Sequence, residues 1–100
     1  MIIHLTKDNF KDALKGNKKI LIDFYADWCA PCRMMGAVLE DCHERLSVPV
    51  GKVNVDEDGE IAALYGVSSI PTLVLIEDGE TKSVTVGALS EAEIKEFVEK

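Results

Sequence analysis

Lys19-Ile20-Leu21-Ile22-Asp23-Phe24-Tyr25, followed two residues later by Trp28-Cys29-Ala30-Pro31-Cys32, sets a nearly continuous apolar run against a close pair of cysteines. A run of this kind belongs to a central strand covered on both faces. Asp23 is conspicuous within it, because a carboxyl placed among apolar side chains has a raised pKa and exchanges protons near neutrality. From Cys29 to about Leu46 the pattern changes to helical spacing. Met35, Val38, Leu39, Cys42 and Leu46 form one stripe, leaving Arg33, Glu40, Glu44 and Arg45 for solvent. The cysteine pair therefore falls where a strand hands over to a long helix.

That position carries chemistry. Unpaired N–H groups at a helix N-terminus favour an anion, and the thiolate is the form that attacks disulfides. A free thiol of pKa about 8.5 is about 3% ionised at pH 7, and a pKa lower by about 1.5 units makes about half of it thiolate. Cys29 is expected to attack a target disulfide, and Cys32, one helical turn on, to attack Cys29 in turn and release the reduced product. Pro31 suits a first helical turn, where its missing N–H is no loss. As a structural staple the pair would close almost no loop, so it would constrain the unfolded chain very little.

Outward from this stretch, Ile2 to Leu5 reads as a short strand. Thr6 is a candidate cap for a helix bearing Phe10, Ala13 and Leu14, stopped at Gly16-Asn17. Val50 to Val55 reads as a strand, and Asp56 to Asp58 opens a short helix with Ile61, Leu64 and Tyr65, ended by Gly66. Thr72 to Ile76 is a further strand, joined through the hairpin signal Asp78-Gly79 to Ser83-Val84-Thr85-Val86. Ser90-Glu91-Ala92-Glu93 is a capping box, and Ile94, Phe97 and Val98 give the last helix its apolar face. The predicted order is βαβαβαββα: an α/β fold with a mixed five-stranded sheet flanked by four helices.

The stretches WCAPC (28–32), IDFYAD (22–27), KVNVDED (52–58), YGVSSIPTLVLIEDGE (65–80) and VGALSEAEIKEFV (86–98) together resemble the thioredoxin family along essentially the whole chain. The resemblance implies a thioredoxin fold and an enzyme that reduces protein disulfides as a general electron donor. Electrons would come from a thioredoxin reductase-like donor, and the only redox group would be the Cys29–Cys32 dithiol/disulfide. It further implies that Asp23 is a buried acid near Cys32, with Lys52 as its neighbour, and that Pro71 is a cis proline facing the cysteines. Base rates of about 5% cis for X–Pro bonds would by themselves argue for trans. Trp28 is implied in target docking and Ile70 and Gly87 in lining the substrate groove, with Ala30 and Pro31 between the cysteines counted beside them. The chain departs from the family pattern at Ala30 (usually glycine), Tyr25 (often tryptophan) and Ala37 (the proline that kinks the long helix).

Composition narrows the alternatives. A chain of 100 residues that is 47% hydrophobic supports one core, so a single domain over residues 1–100 is expected. Its formal charge of −7 disfavours nucleic acid and anionic lipid as partners. No apolar run approaches the roughly 20 residues of a membrane span, and the start lacks a signal-type segment, so a cytoplasmic monomer is expected. The glycines are isolated, with no phosphate-binding pattern. Cys29, Cys32, Cys42 and His43 are zinc-compatible ligand types, but on a continuous helix Cys42 lies about 15 Å along the axis from Cys32, too far for one ion. Cys42 reads as a core residue, and Glu57, Asp58 and Glu60 as a solvated acidic face lacking calcium-loop spacing. A scaffold that merely kept the fold would need neither the cysteine pair nor Asp23 nor Pro71.

Overall fold

The computed structural model describes residues 2–99; Met1 and Lys100, the ends of the expected 1–100 domain, lie outside the described residues. Its elements run β1 (Ile2–His4), α1 (Phe10–Gly16), β2 (Lys19–Tyr25), α2 (Ala30–Cys42), β3 (Val50–Asn54), α3 (Gly59–Leu64), β4 (Thr72–Glu77), β5 (Glu80–Val86) and α4 (Glu91–Val98). The order is the predicted βαβαβαββα. The strands form one sheet in the spatial order β1-β3-β2-β4-β5. β3 runs parallel to both β1 and β2, whereas β4 is antiparallel to β2 and β5 to β4, which makes the sheet mixed.

Strand alternation divides the core between two faces. Ile20, Ile22 and Phe24 pack with Val53, Val74 and Ile76 against Phe10, Ile61 and Ala62 on the α1 and α3 side. Leu21 packs with Val50, Leu73 and Leu75 against Met35, Leu39, Ile94 and Phe97 on the α2 and α4 side. β2 is thus apolar on both faces because both are covered, and fully burying each Leu, Ile or Phe contributes about 1.5–3 kcal/mol. The one charged residue of its middle, Asp23, alternates in phase with Leu21 and so belongs to the α2 and α4 face. Gly51 lets the chain close on the other face: a Cβ there would come within 2.5 Å of Leu5 Cδ1.

Several boundaries differ from the sequence expectation for local reasons. α1 is preceded not by a Thr6 cap but by Asn9, whose side chain folds back to accept the Thr6 N–H at 2.8 Å. The long helix stops at Cys42, not Leu46, and the stripe continues through a 3-10 turn at His43–Arg45. Asp56 to Asp58 stay in a turn, so α3 starts at Gly59, and β5 begins at Glu80. Asp78 (φ 54) and Gly79 (φ 80) both have positive φ, as a tight hairpin turn demands. The capping box at α4 is complete, with Ser90 Oγ accepting the Glu93 N–H and the Glu93 carboxylate accepting the Ser90 N–H.

Candidate active site

β2 delivers the chain to the site and α2 receives it. Cys29 is the N-cap of α2, in extended conformation (φ −91°, ψ 112°), and Cys32 lies in the first turn. The two are joined as a disulfide with Cα atoms 5.2 Å apart. Cys29 Sγ also accepts the Cys32 backbone N–H at 3.2 Å, so it takes the place that a serine or aspartate oxygen fills at other helix starts. In the reduced protein the same N–H and the helix dipole favour a thiolate there. Ala30 and Pro31 occupy the exposed first turn between the sulfurs. Cys29 retains 6% of its surface against 2% for Cys32, so the N-cap cysteine is the more accessible of the pair.

A loop from across the sheet closes over the sulfurs. The Ile70–Pro71 bond is cis, and the Ile70 carbonyl oxygen lies 3.9 Å from Cys29 Sγ. Ile70 is half-buried and packs on the small cluster of Ala26, Cys29 and Cys32. Thr72 Oγ1 donates to the Ser69 carbonyl on the near side of the same turn. Gly87, at φ +105°, donates its N–H to the Pro71 carbonyl at 2.8 Å, so a third segment joins the rim. That backbone angle suits glycine because a Cβ would clash with the neighbouring carbonyls. Trp28 is 70% exposed immediately before Cys29, and Met34 is 66% exposed one turn along α2.

Asp23 is fully buried, and among the described residues neither carboxylate oxygen has a hydrogen-bond partner. Burial pushes its pKa up to about 6, against the opposing charge of Lys52, which pulls it down. Lys52 is its register partner across the parallel β2–β3 pair, and Leu73 is its partner on β4.

The fold therefore brings Trp28, Cys29, Ala30, Pro31, Cys32, Ile70, Pro71 and Gly87 to one rim, with Asp23 and Lys52 on the sheet face that α2 covers. A scan against family models matches the thioredoxin model over residues 1–100. The chain belongs to the thioredoxin family. Curated thioredoxins from Buchnera aphidicola and Alicyclobacillus acidocaldarius are 41% identical over 101 residues (98% of this chain, 94% of the relative) and 46% identical over 85 residues (83% and 81%). Among solved structures, a mutant thioredoxin from Halobacterium salinarum superposes with a TM-score of 0.92 at 38% identity, covering 98% of this chain and 88% of that one. A Schistosoma mansoni thioredoxin pre-protein gives 0.88 at 31% identity, covering 98% and 95%.

A thioredoxin-family chain with its Cys29–Cys32 pair at disulfide distance is a dithiol–disulfide oxidoreductase whose redox group is its own disulfide. Membership brings with it disulfide-containing targets and a reductase partner in general. Among the described residues no group of three or more His, Cys, Asp or Glu side chains is placed to hold a metal ion. Cys42 is a free, buried thiol at the far end of α2, and burial, with Glu91 nearby, pushes its pKa up. No helix of the described residues is long and apolar enough to cross a membrane.

Two contacts at the site escaped the sequence reading. Trp28 Nε1 donates to Asp56 Oδ2 at 2.9 Å, and Met35 Sδ accepts the Leu89 N–H at 3.3 Å. An aspartate after a strand and a methionine on a buried stripe have unremarkable local readings, and only the closing of the sheet makes them partners of the rim.

Proposed function

We propose that the chain acts as one domain over residues 1–100 and is a general electron donor to protein disulfides, with Cys29 attacking and Cys32 resolving. The observation that carries this assignment is the Cys29 sulfur at the N-cap of α2, accepting the Cys32 N–H. The Cys29 thiolate attacks one sulfur of the target disulfide; the target S–S bond breaks, one target thiolate leaves, and a Cys29–target disulfide forms. Cys32 then loses its proton to the Asp23 carboxylate, and its thiolate attacks the Cys29 sulfur. The Cys29–Cys32 bond forms and the second target thiolate leaves and is protonated. Two electrons have passed to the target.

In this scheme Lys52 moderates the proton affinity of Asp23, and Pro71 holds the loop against the cysteines. Trp28, Ala30, Pro31, Ile70 and Gly87 form the surface on which an extended target segment lies. A thioredoxin reductase-like donor reduces the disulfide again. The family and the acidic charge of −7 support a cytoplasmic monomer that engages neither nucleic acid nor membrane. The test is stoichiometric reduction: mixed with excess disulfide-bonded insulin, each reduced molecule is expected to open one target disulfide as its own Cys29–Cys32 disulfide forms. Oxidation of the pair with no thiols appearing on the target overturns the reading.

A further inference from the structure

Lys52 lies against one residue and beside another to which the reaction scheme gives no role. A lysine side chain has about 2 kcal/mol of rotamer entropy and does not settle in one place unaided. Among the described residues no carboxylate lies within the 4.0 Å of an ion pair to Lys52, Asp23 included, so no salt bridge fixes it. Instead its Nζ lies 4.4 Å from the centroid of the Tyr25 ring, a cation–π contact. On the α2 side the same Nζ stands 3.2 Å from the point where a Cβ on Gly36 would be. Tyr25 is two residues beyond Asp23 on β2 and so shares its face, and Lys52 pairs with Asp23 across β3.

We propose that Tyr25 and Gly36 are positioning residues: the ring on one side and the missing side chain on the other make a slot that fixes the Lys52 ammonium, and with it the charge Asp23 faces. This rests on the proposed role of Asp23 as the proton acceptor. Lys52 on β3 is the charged neighbour felt at the Asp23 carboxyl. β4 presents the apolar Leu73, and α2 brings Met35 and Leu39 to that face; Cys32, the proton donor to Asp23 in the scheme, is held in the disulfide and does not titrate in the oxidised protein. The Tyr25 hydroxyl stays protonated throughout the working range, because burial first, then Asp27, and further Glu57 and Asp23, raise its pKa against a hydrogen bond with Asn54 that lowers it. The face offered to Lys52 is therefore a neutral ring at any pH where Asp23 titrates. A glycine within a helix is otherwise unfavourable by about 0.5–1 kcal/mol relative to alanine, and room for the ammonium is the gain that accompanies it at position 36.

The experiment follows the Asp23 carboxyl carbon by NMR across pH in the oxidised full-length protein, where neither Cys29 nor Cys32 titrates, with the resolving step measured by stopped flow over the same range. Gly36→Ala and Gly36→Val are expected to displace the ammonium increasingly and to raise the Asp23 midpoint in that order, by on the order of half a pH unit for the larger side chain. Tyr25→Leu raises it as well, while Tyr25→Phe, which keeps the ring and loses only the hydroxyl, leaves it close to the parent. Lys52→Met gives the upper limit, and in that background the Gly36 and Tyr25 changes have no further effect. Shifts that persist without Lys52, or a Lys52→Met protein with an unmoved midpoint, overturn the slot. Midpoints that move as expected while the pH profile of the resolving step stays fixed uphold the slot and overturn the proton-acceptor role instead.

Discussion

The indole Nε1 of Trp28 donates to Asp56 Oδ2 at 2.9 Å, which ties the residue before the redox pair to the turn that follows β3. The contact is exposed, so its value lies in aiming a large ring that is itself mostly in solvent. Asp56→Ala is expected to change stability by about 1 kcal/mol or less, yet to raise KM for protein targets several-fold with kcat preserved. Asp56→Asn keeps an acceptor and restores most of the affinity. Steady-state reduction of a protein disulfide, read with the anisotropy of the single tryptophan, checks both.

The two cysteines differ in position and should differ in trapping. Cys32→Ala leaves the N-cap sulfur able to attack and nothing to resolve the product, so target conjugates accumulate. Cys29→Ala removes the sulfur that α2 activates and should trap little. Non-reducing gels after incubation with a disulfide-bonded target make the comparison, and equal conjugate from both variants would contradict the assignment.

Asp23 links stability to pH with a definite sign. Its folded pKa of about 6 lies above the ordinary aspartate value of 3.8, so the folded state holds the proton more tightly than the unfolded chain does. Stability from this group is complete below pH of about 4 and is lost as pH rises through about 6, a difference on the order of 3 kcal/mol. Asp23→Asn is therefore expected to stabilise the protein at pH 7 and to gain little at pH 3.5. The same variant should resolve the mixed disulfide more slowly, most of all near neutrality, and recover at alkaline pH where the Cys32 thiol ionises unaided. Denaturant titrations at the two pH values, with stopped-flow rates across pH, test both halves. A variant that is less stable yet equally fast makes Asp23 a structural residue only.

Cys42 is buried and free at the opposite end of α2 from the disulfide. Cys42→Ala should leave a small cavity, cost about 1 kcal/mol and preserve reductase turnover. Loss of turnover at unchanged stability, measured side by side, would give that thiol a part in the chemistry.

The architecture was legible because each element carries its own signal: a two-sided apolar run in β2, a helical stripe in α2, Asp78-Gly79 in the hairpin and a complete capping box before α4. Boundaries were less so. Thr6 and Asn9 are both competent caps, and the choice between them depends on which side chain the preceding loop folds over. The end of α2 at Cys42 is hidden in the sequence because the 3-10 turn His43–Arg45 carries the apolar stripe on to Leu46. At the site, Cys29, Cys32 and Asp23 were readable from residue type and place. The cis bond before Pro71 is legible only through family resemblance, since local preference argues for trans. The slot around Lys52 joins it to Tyr25, 27 positions back, and Gly36, 16 positions back, and the Trp28–Asp56 tie spans 28, with no pattern between the partners; both exist only once the sheet is assembled.

The rim around the disulfide is stitched from three distant stretches of chain by two bonds, Gly87 N–H to the Pro71 carbonyl and Leu89 N–H to the Met35 sulfur. A target that docks on this rim as proposed meets a surface already ordered before it arrives. Ordering loops at the moment of contact carries an entropic penalty that grows with every segment immobilised, and here that penalty falls during folding instead. On the proposed assignment, such a rim can draw on a few backbone hydrogen bonds and one exposed indole for adhesion, and still let each product go.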